Sequence, residues 1–176
     1  MKHLSRIILG CILVFISCGK ELKKSESNKE KISTFYFIRH AEKDRSDATN
    51  DNPHLLDIGK QRAEKWSDVL KNINFDAIYS TNYNRTKETA KPTALKNQLE
   101  LTIYDPKTID IPIFLKENDG KNVLVVGHSN STPEFVNAIL KTNIYKHIED
   151  NNNGNIYIIS INANADIITN NLLFVN

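Results

Sequence analysis

Two continuous apolar runs, each leading into a histidine, constrain the fold of this chain more than any other feature. The first run is Thr34–Ile38, which leads into His40. The second is Asn122–Val126, which one glycine separates from His128. Aromatic and β-branched runs of this length are typical of strands that a sheet buries on both faces. Ligands of open α/β sheets bind beyond the carboxyl ends of such strands, so both histidines are expected at that edge.

The rest of the chain alternates between helical and strand patterns. The predicted helices begin at Asp57 and at Arg85 and extend over 108–118 and 132–140, and the further strands cover 75–80, 101–104, 156–161 and 167–174. This alternation predicts the fold class α/β, as a three-layer α/β/α sandwich with a mostly parallel central sheet.

The first two helices carry more specific expectations. Asp57 and Asn84 are suitable N-cap residues for them. The first helix is expected to bury one face, formed by Ile58, Trp66, Val69, Leu70 and Ile73. Pro92 is expected to kink or restart the second helix, because proline lacks the backbone donor and clashes with the preceding turn.

The beginning of the chain has the pattern of an export signal. Lys2 and Arg6 precede a short apolar run, and this pattern predicts a signal peptide over residues 1–17. The segment that ends at Cys18 resembles a bacterial lipobox, whose cysteine becomes the lipid-bearing first residue of the mature chain. The resemblance implies a lipid on Cys18 and membrane attachment at the bacterial cell envelope, facing the periplasm. Alternatively, Cys18 is only a small apolar residue of the signal peptide.

A tether and a single domain are predicted after the signal. Residues 18–31 are mostly Lys, Glu, Ser and Asn, a composition that buries too little apolar surface to fold, so we interpret them as a flexible tether. The apolar run before them is short for a membrane span, which makes a retained transmembrane anchor the weaker interpretation. Residues 32–176 are then expected to form one domain.

Charge and motifs exclude several classes of function. The formal net charge is +2, and Lys2 and Arg6 in the predicted signal peptide account for all of it. The sequence has no basic stripe interleaved with aromatic residues, so no nucleic-acid partner is expected. It has neither a phosphate-binding glycine loop nor a zinc motif, so no metal and no cofactor is expected.

Two arginines and two histidines are the residues best suited to chemistry. Phosphoryl transfer needs a nucleophile placed for in-line attack and fixed positive charge around the transferred oxygens. An imidazole can be that nucleophile, and arginine suits the second task because its planar guanidinium donates paired hydrogen bonds and stays charged. Arg39, His40 and His128 follow predicted strands, and Arg85 opens a predicted helix.

Four ordered segments resemble the motifs of the histidine phosphatase superfamily, also called phosphoglycerate-mutase-like. They are Phe37–Lys43, similar to an Arg-His-Gly signature with alanine in place of glycine, and Leu55–Ala63, Tyr79–Ala90 and Val125–Asn130. The connection between Arg85 and His128 is short, so the resemblance is to a small bacterial branch without a cap insertion. It implies the α/β/α fold described above.

The resemblance also implies a role for each main site residue. His40 would attack phosphorus and carry the phosphoryl group, while Arg39, Arg85 and His128 hold the phosphoryl oxygens. His40 must be neutral to attack, whereas a bound phosphate dianion favours a cationic His128. Activity is therefore expected to fall on both sides of a pH optimum.

Two candidates stay open for the group that protonates the leaving alcohol. Asp105 follows the third predicted strand, where mutase-like members carry an acid, and Glu42 lies beside the nucleophile. We favour Asp105, although Asp before proline is equally typical of a turn, and Glu42 also suits an ion pair with a neighbouring basic residue. Ser129 stands where the acid-phosphatase branch often has Asp, which disfavours that branch.

The leading hypothesis is a cell-envelope phosphatase, a phosphoric monoester hydrolase that acts on a phosphomonoester or a phosphoprotein through a phosphohistidine on His40. A small phosphorylated substrate is the expected partner. The alternatives are a phosphoglycerate-type mutase, a phosphohistidine phosphatase and a non-catalytic, anion-binding envelope lipoprotein. His54 and His147 have no partner spacing typical of a metal site and are expected on the surface.

Overall fold

The structure, a computed structural model, describes residues 31–176. The predicted signal peptide (1–17), the anchor at Cys18 and all of the predicted tether except Lys31 lie outside the described residues and stay predictions. The predicted domain, 32–176, lies inside them. Between residues 31 and 176, the chain has no helix with the length and apolar character that a membrane span requires.

Within the described residues, the chain forms six strands and four helices. The strands are β1 (Ile32–Arg39), β2 (Ala77–Thr81), β3 (Leu101–Tyr104), β4 (Asn122–Gly127), β5 (Asn155–Asn162) and β6 (Ile167–Phe174). The helices are α1 (Asp57–Val69), α2 (Asn84–Asn97), α3 (Ile111–Glu117) and α4 (Ser131–Leu140). Every element predicted from the sequence is present, with bounds that differ by a few residues.

These strands form one sheet in the order β3-β2-β4-β1-β5-β6. The pairs among β1, β2, β3 and β4 are parallel, whereas β5 and β6 pair antiparallel and complete one side of the sheet. The expected α/β fold with a mostly parallel sheet is confirmed. The two strands that lead into the histidines, β1 and β4, lie together at its centre.

The sheet separates two apolar cores, which explains why its central strands are continuous apolar runs. Phe35 and Phe37 of β1 belong to the core that contains side chains of α3 and α4, and Ile38 belongs to the core under α1 and α2. All three side chains are fully buried. Burying a side chain of this size stabilises a fold by roughly 1.5–3 kcal/mol, so both layers hold β1 in its register.

Neither predicted N-cap residue caps its helix. Asp57 is the first residue of α1, and its carboxylate accepts a hydrogen bond from Lys60 Nζ at 2.9 Å. Asn84 is the first residue of α2, and its side-chain amide donates to the carbonyl oxygen of Asn52 at 3.0 Å. The N-cap positions are Leu56 and Tyr83, one residue earlier, and neither side chain caps its helix.

The buried face of α1 is rotated from the predicted one. Trp66 is buried as expected, but Ile58 and Val69 are 57% and 49% exposed. Gly59 takes the inward position instead, where a Cβ would lie 2.2 Å from the carbonyl oxygen of Glu42. Only glycine allows the helix to approach the backbone this closely, so its neighbour Ile58 is turned outward.

The predicted restart at Pro92 does not occur, because α2 continues from Asn84 to Asn97, and the predicted kink stays a prediction. Ala90 and Ala94, which lie on either side of Pro92, are buried in the core under the sheet. Packing on both sides of the proline therefore keeps the helix continuous and outweighs the loss of one backbone hydrogen bond.

Helices α1 and α2 hold the loop that follows β1. The Leu56 amide, directly before α1, donates to the carbonyl oxygen of Glu42 at 2.9 Å. The Ala41 amide donates to the hydroxyl of Thr89 in α2, also at 2.9 Å. The backbone next to His40 is therefore fixed by both helices of this layer.

Candidate active site

The four main site residues meet at the carboxyl edge of the sheet. Arg39 of β1 lies opposite Gly127 of β4. His40 and His128, the next residues of the two strands, therefore lie side by side, with ring centroids 5.6 Å apart. Arg85 reaches the same place from the first turn of α2. Together these side chains line a cavity of about 950 Å³.

His40 is almost fully buried, and its ring is held in one tautomer. Its Nδ1 lies 2.7 Å from the carbonyl oxygen of Ala41. A carbonyl only accepts, so Nδ1 carries the hydrogen and Nε2 keeps its lone pair. The His40 amide donates to the Gly127 carbonyl at 2.9 Å, and the Asn153 side chain donates to the His40 carbonyl at 2.8 Å. The arrangement leaves Nε2 free to act as a nucleophile.

Arg39 is bound by a C-terminal loop that the sequence did not indicate. Its Nη1 donates to the carbonyl oxygens of Glu149, Asp150 and Asn152 at 2.8, 3.1 and 3.0 Å. Its Nη2 pairs with the Asp150 carboxylate at 3.0 Å. Among the described residues, its Nε is buried without a partner. An unpaired buried donor is unfavourable, and the residue that carries it lines the cavity.

Arg85 has a free donor of the same kind. Its Nη1 donates to the Asp51 carbonyl oxygen at 3.2 Å, and its Nη2 lies 3.4 Å from Nδ1 of His128. Its Nε is buried and has no partner within residues 31–176. The Tyr83 ring lies against the guanidinium, 4.4 Å from Cζ to the ring centroid, which stabilises the cation.

His128 is supported by hydroxyl groups that sequence reasoning missed. Its Nε2 lies 2.9 Å from the Thr81 hydroxyl, which in turn donates to the Thr86 hydroxyl at 2.9 Å. Its amide donates to the hydroxyl of Ser131 at 3.1 Å. Both threonines fall inside the Tyr79–Ala90 motif, so polar residues in that segment were the one signal that pointed to them.

Burial keeps both imidazoles neutral in the free site. Burial, followed by the charge of Arg39, lowers the pKa of His40 to about 3. Burial, followed by the charge of Arg85, lowers the pKa of His128 to about 4. At neutral pH the unprotonated His40 that nucleophilic attack requires is therefore already present.

The two candidate proton donors have different surroundings. Asp105 lines the main cavity and is exposed, and one of its carboxylate oxygens accepts from the Lys107 amide at 2.9 Å in a turn. Glu42 pairs with Arg62 at 2.7 Å and lines a separate cavity of about 250 Å³ that also reaches His40. The turn and the ion pair expected as alternatives are both present, although the Glu42 partner is not a sequence neighbour.

Further charged side chains line the main cavity. Lys43, Arg45 and Lys107 add positive charge around the deep arginines. Burial, followed by the charge of Arg85, lowers the pKa of Lys43. Asp150 forms ion pairs with both Arg39 and Arg45, and these two cations largely neutralise its negative charge.

Glu134 is an acidic lining residue that the sequence did not point to. It lies in the first turn of α4 and pairs with His147 at 2.9 Å. His147 and His54 are both exposed, as expected, and His54 pairs with Glu88. Between residues 31 and 176, no three His, Cys, Asp or Glu side chains are clustered to hold a metal ion.

The sequence and the fold are similar to known phosphatases. A family model for the histidine phosphatase superfamily (branch 1) matches residues 35–106. This range contains three of the four motifs identified above. No curated protein sequence matches the chain.

Several solved structures share the fold. The protein histidine phosphatase SixA complexed with tungstate has 14% sequence identity and a TM-score of 0.62, with 80% of this chain and 96% of that chain covered. A mycobacterial glucosyl-3-phosphoglycerate phosphatase has 13% identity and a TM-score of 0.60, with 82% and 99% covered. Phosphoserine phosphatase from Entamoeba histolytica, in complex with 3-phosphoglyceric acid, has 17% identity and a TM-score of 0.56, with 78% and 96% covered.

The lowered pKa of His40 predicts that the protein loses stability in acid. The unfolded chain binds a proton at this histidine near pH 6.5, whereas the folded chain resists it down to about pH 3. Stability from this group is therefore complete above the unfolded pKa and is lost as the pH falls toward the folded one. At pH 5 the loss is about 2 kcal/mol.

Chemical denaturation at pH 8 and pH 5 measures this effect. His40→Gln has no titrating ring, so its free energy of unfolding should fall less between the two pH values than that of the wild type. Equal losses in the two proteins would show that folding does not lower the pKa of His40.

Proposed function

We propose, from the family-model match over residues 35–106 and the geometry of the site, that the chain is a member of the histidine phosphatase superfamily. In this proposal it is a phosphoric monoester hydrolase that forms a phosphohistidine on His40. The observation that carries the proposal is the position of His40 Nε2, buried and unprotonated. Beside it, Arg39 and Arg85 each keep a buried Nε–H without a partner among the described residues. A tetrahedral anion in the cavity would satisfy both donors.

The reaction has two balanced steps. In the first, His40 Nε2 attacks phosphorus, the bond between phosphorus and the ester oxygen breaks, and the leaving alcohol takes a proton from an acid. In the second, water attacks phosphorus and gives a proton to the conjugate base that the acid has become, and the bond between phosphorus and Nε2 breaks. This releases inorganic phosphate and restores neutral His40 and the acid.

The arginines supply fixed positive charge for the phosphoryl oxygens. Arg39 contributes through Nε, because its terminal nitrogens are already bound to the 149–152 loop. Arg85 contributes through Nε and is held by Tyr83 and by the Asp51 carbonyl. Since both groups are held in place before substrate arrives, little reorganisation is needed as charge develops in the transition state.

The charges of the cavity favour a small ester with a second anionic group. A volume of about 950 Å³ is much larger than one phosphate, and Lys43, Arg45 and Lys107 line it beyond the deep arginines. One structural neighbour is a phosphoserine phosphatase with 3-phosphoglyceric acid bound. Phosphoserine and 3-phosphoglycerate each carry a carboxylate as well as a phosphate, which makes them suitable test substrates.

Replacing His40 should abolish hydrolysis. We expect His40→Ala to release phosphate from phosphoserine at least about a thousandfold more slowly than wild type, because no covalent intermediate can form. The full chain is assayed with a chelator present, and the wild-type rate should be unaffected by it. His147→Ala, an exposed histidine substitution, is the control and should keep its activity. Equal rates in wild type and His40→Ala would contradict a mechanism through a phosphohistidine on His40.

The proton donor is tested by the leaving group. Nitrophenolate leaves without a proton, whereas the serine hydroxyl of phosphoserine needs one. Asp105→Asn should therefore slow phosphoserine hydrolysis by about a hundredfold and leave nitrophenyl phosphate hydrolysis nearly unchanged. Glu42→Gln is the matched comparison. The leaving-group effect in Glu42→Gln alone would assign the donor to Glu42, and its absence from both would reject both candidates.

The alternatives give different outcomes in the same assays. A phosphoglycerate-type mutase would transfer the phosphoryl group to a second hydroxyl of its substrate rather than to water. A phosphohistidine phosphatase would act on phosphorylated protein and leave small esters untouched. A non-catalytic anion-binding protein would bind inorganic phosphate and turn over none of them.

We also propose that a lipid on Cys18 attaches the domain to the bacterial cell envelope. The support is the lipobox-like segment that ends at Cys18, after a basic and apolar start. Labelled fatty acid supplied to the host should be incorporated into the full chain and not into Cys18→Ser. Label on the variant, or none on the wild type, would contradict the anchor.

A further inference from the structure

The hydrogen bonds behind His128 determine which of its ring nitrogens carries the hydrogen. The Thr86 hydroxyl donates to the carbonyl oxygens of Thr81 and Tyr83, at 2.9 and 3.0 Å. Since carbonyls only accept, the single hydrogen of Thr86 is used there, and its oxygen can only accept from the Thr81 hydroxyl at 2.9 Å. Thr81 is left with a lone pair, 2.9 Å from His128 Nε2. Nε2 must therefore donate.

The other ring nitrogen leads to the same tautomer. His128 Nδ1 lies 3.4 Å from Arg85 Nη2, and a guanidinium can only donate. Nδ1 therefore faces Arg85 with a lone pair, and the hydrogen is on Nε2. Thr81 and Thr86 are 1% and 0% exposed, so water does not compete for the hydrogen bonds that impose this choice.

We propose that Thr81 is a positioning residue that holds neutral His128 as its Nε2–H tautomer, with Thr86 orienting the Thr81 hydroxyl. This tautomer leaves Nδ1, the nitrogen next to Arg85, open to take up a proton when a phosphate enters the cavity. The protonated Nδ1 then donates to a phosphoryl oxygen, which replaces its contact with Arg85 Nη2, while the bond from Nε2 to Thr81 is kept. The ring accepts its ligand without turning.

Nitrogen-15 NMR of the histidine rings in the ligand-free full chain reads the tautomer directly. At neutral pH, His128 should show a protonated Nε2 and an unprotonated Nδ1, with His128→Gln used to assign the signals. A wild-type ring with its hydrogen on Nδ1 overturns the proposal. This measurement does not depend on hydrolysis, so it tests the tautomer of His128 separately from the proposed function.

Two valine substitutions test the hydroxyl pair. Thr81→Val keeps the shape of the buried side chain and removes the acceptor, so the preference for Nε2–H should be lost. The KM for phosphoserine should rise about tenfold, with a smaller change in kcat, and Thr81→Ser should restore both the tautomer and the KM. Thr86→Val frees the Thr81 hydrogen to donate to Nε2, and should populate the opposite tautomer while Thr81 is intact.

Thr93→Val is the matched control. Thr93 is also a buried threonine of α2, and its hydroxyl has no hydrogen-bond partner in the described part of the chain. It should leave the His128 tautomer and the KM unchanged. An equal rise in KM for Thr93→Val, or a wild-type tautomer in Thr81→Val, would reduce Thr81 to a packing role. If the wild type turns over no ester, the affinity for inorganic phosphate replaces KM in the same comparison.

Discussion

The parallel pairing of β1 with β4 is the interaction on which the site depends. In this pairing Arg39 lies opposite Gly127, and the His40 amide donates to the Gly127 carbonyl just beyond the last pair. Side chains alternate between faces along a strand, so a slip of one residue would exchange the two cores and move Phe35 and Phe37 away from α3 and α4. Packing therefore enforces the register, and the register brings His40 next to His128.

The buried guanidinium of Arg39 needs partners even when no phosphate is bound. A buried cation without compensation is strongly unfavourable, and three carbonyl oxygens with the Asp150 carboxylate provide that compensation. Because these bonds occupy both terminal nitrogens, Arg39 has only its Nε–H left for an anion and cannot donate a pair of hydrogen bonds to it. In exchange, its remaining Nε–H is held rigidly, which favours a site that is already arranged for the charge of the transition state.

Sequence reasoning predicted the elements because apolar periodicity reports burial, and it placed His40 and His128 together because parallel strands end at one edge. The roles of these residues and of Arg39 and Arg85 came from the family resemblance and stay predictions. Sequence reasoning misjudged the face of α1 because no periodic pattern reveals that the backbone at Glu42 approaches Gly59 too closely for a Cβ. It also missed Thr81 and Asp150. Thr81 lies in a motif that was identified, but its bond to His128 and the bond of Asp150 to Arg39 join residues far apart in the chain, and spacing alone does not predict such contacts.

The support of Arg39 and His40 by the loop before β5 bears on how the protein is made. A chain synthesised from its N-terminus contains His40 more than a hundred residues before Asn153 and the carbonyl oxygens of 149–152 that support it and Arg39. The pairing of β5 with β1 keeps this loop beside Arg39 and the His40 backbone. The group of side chains at the carboxyl edge is therefore complete only when β5 is part of the sheet.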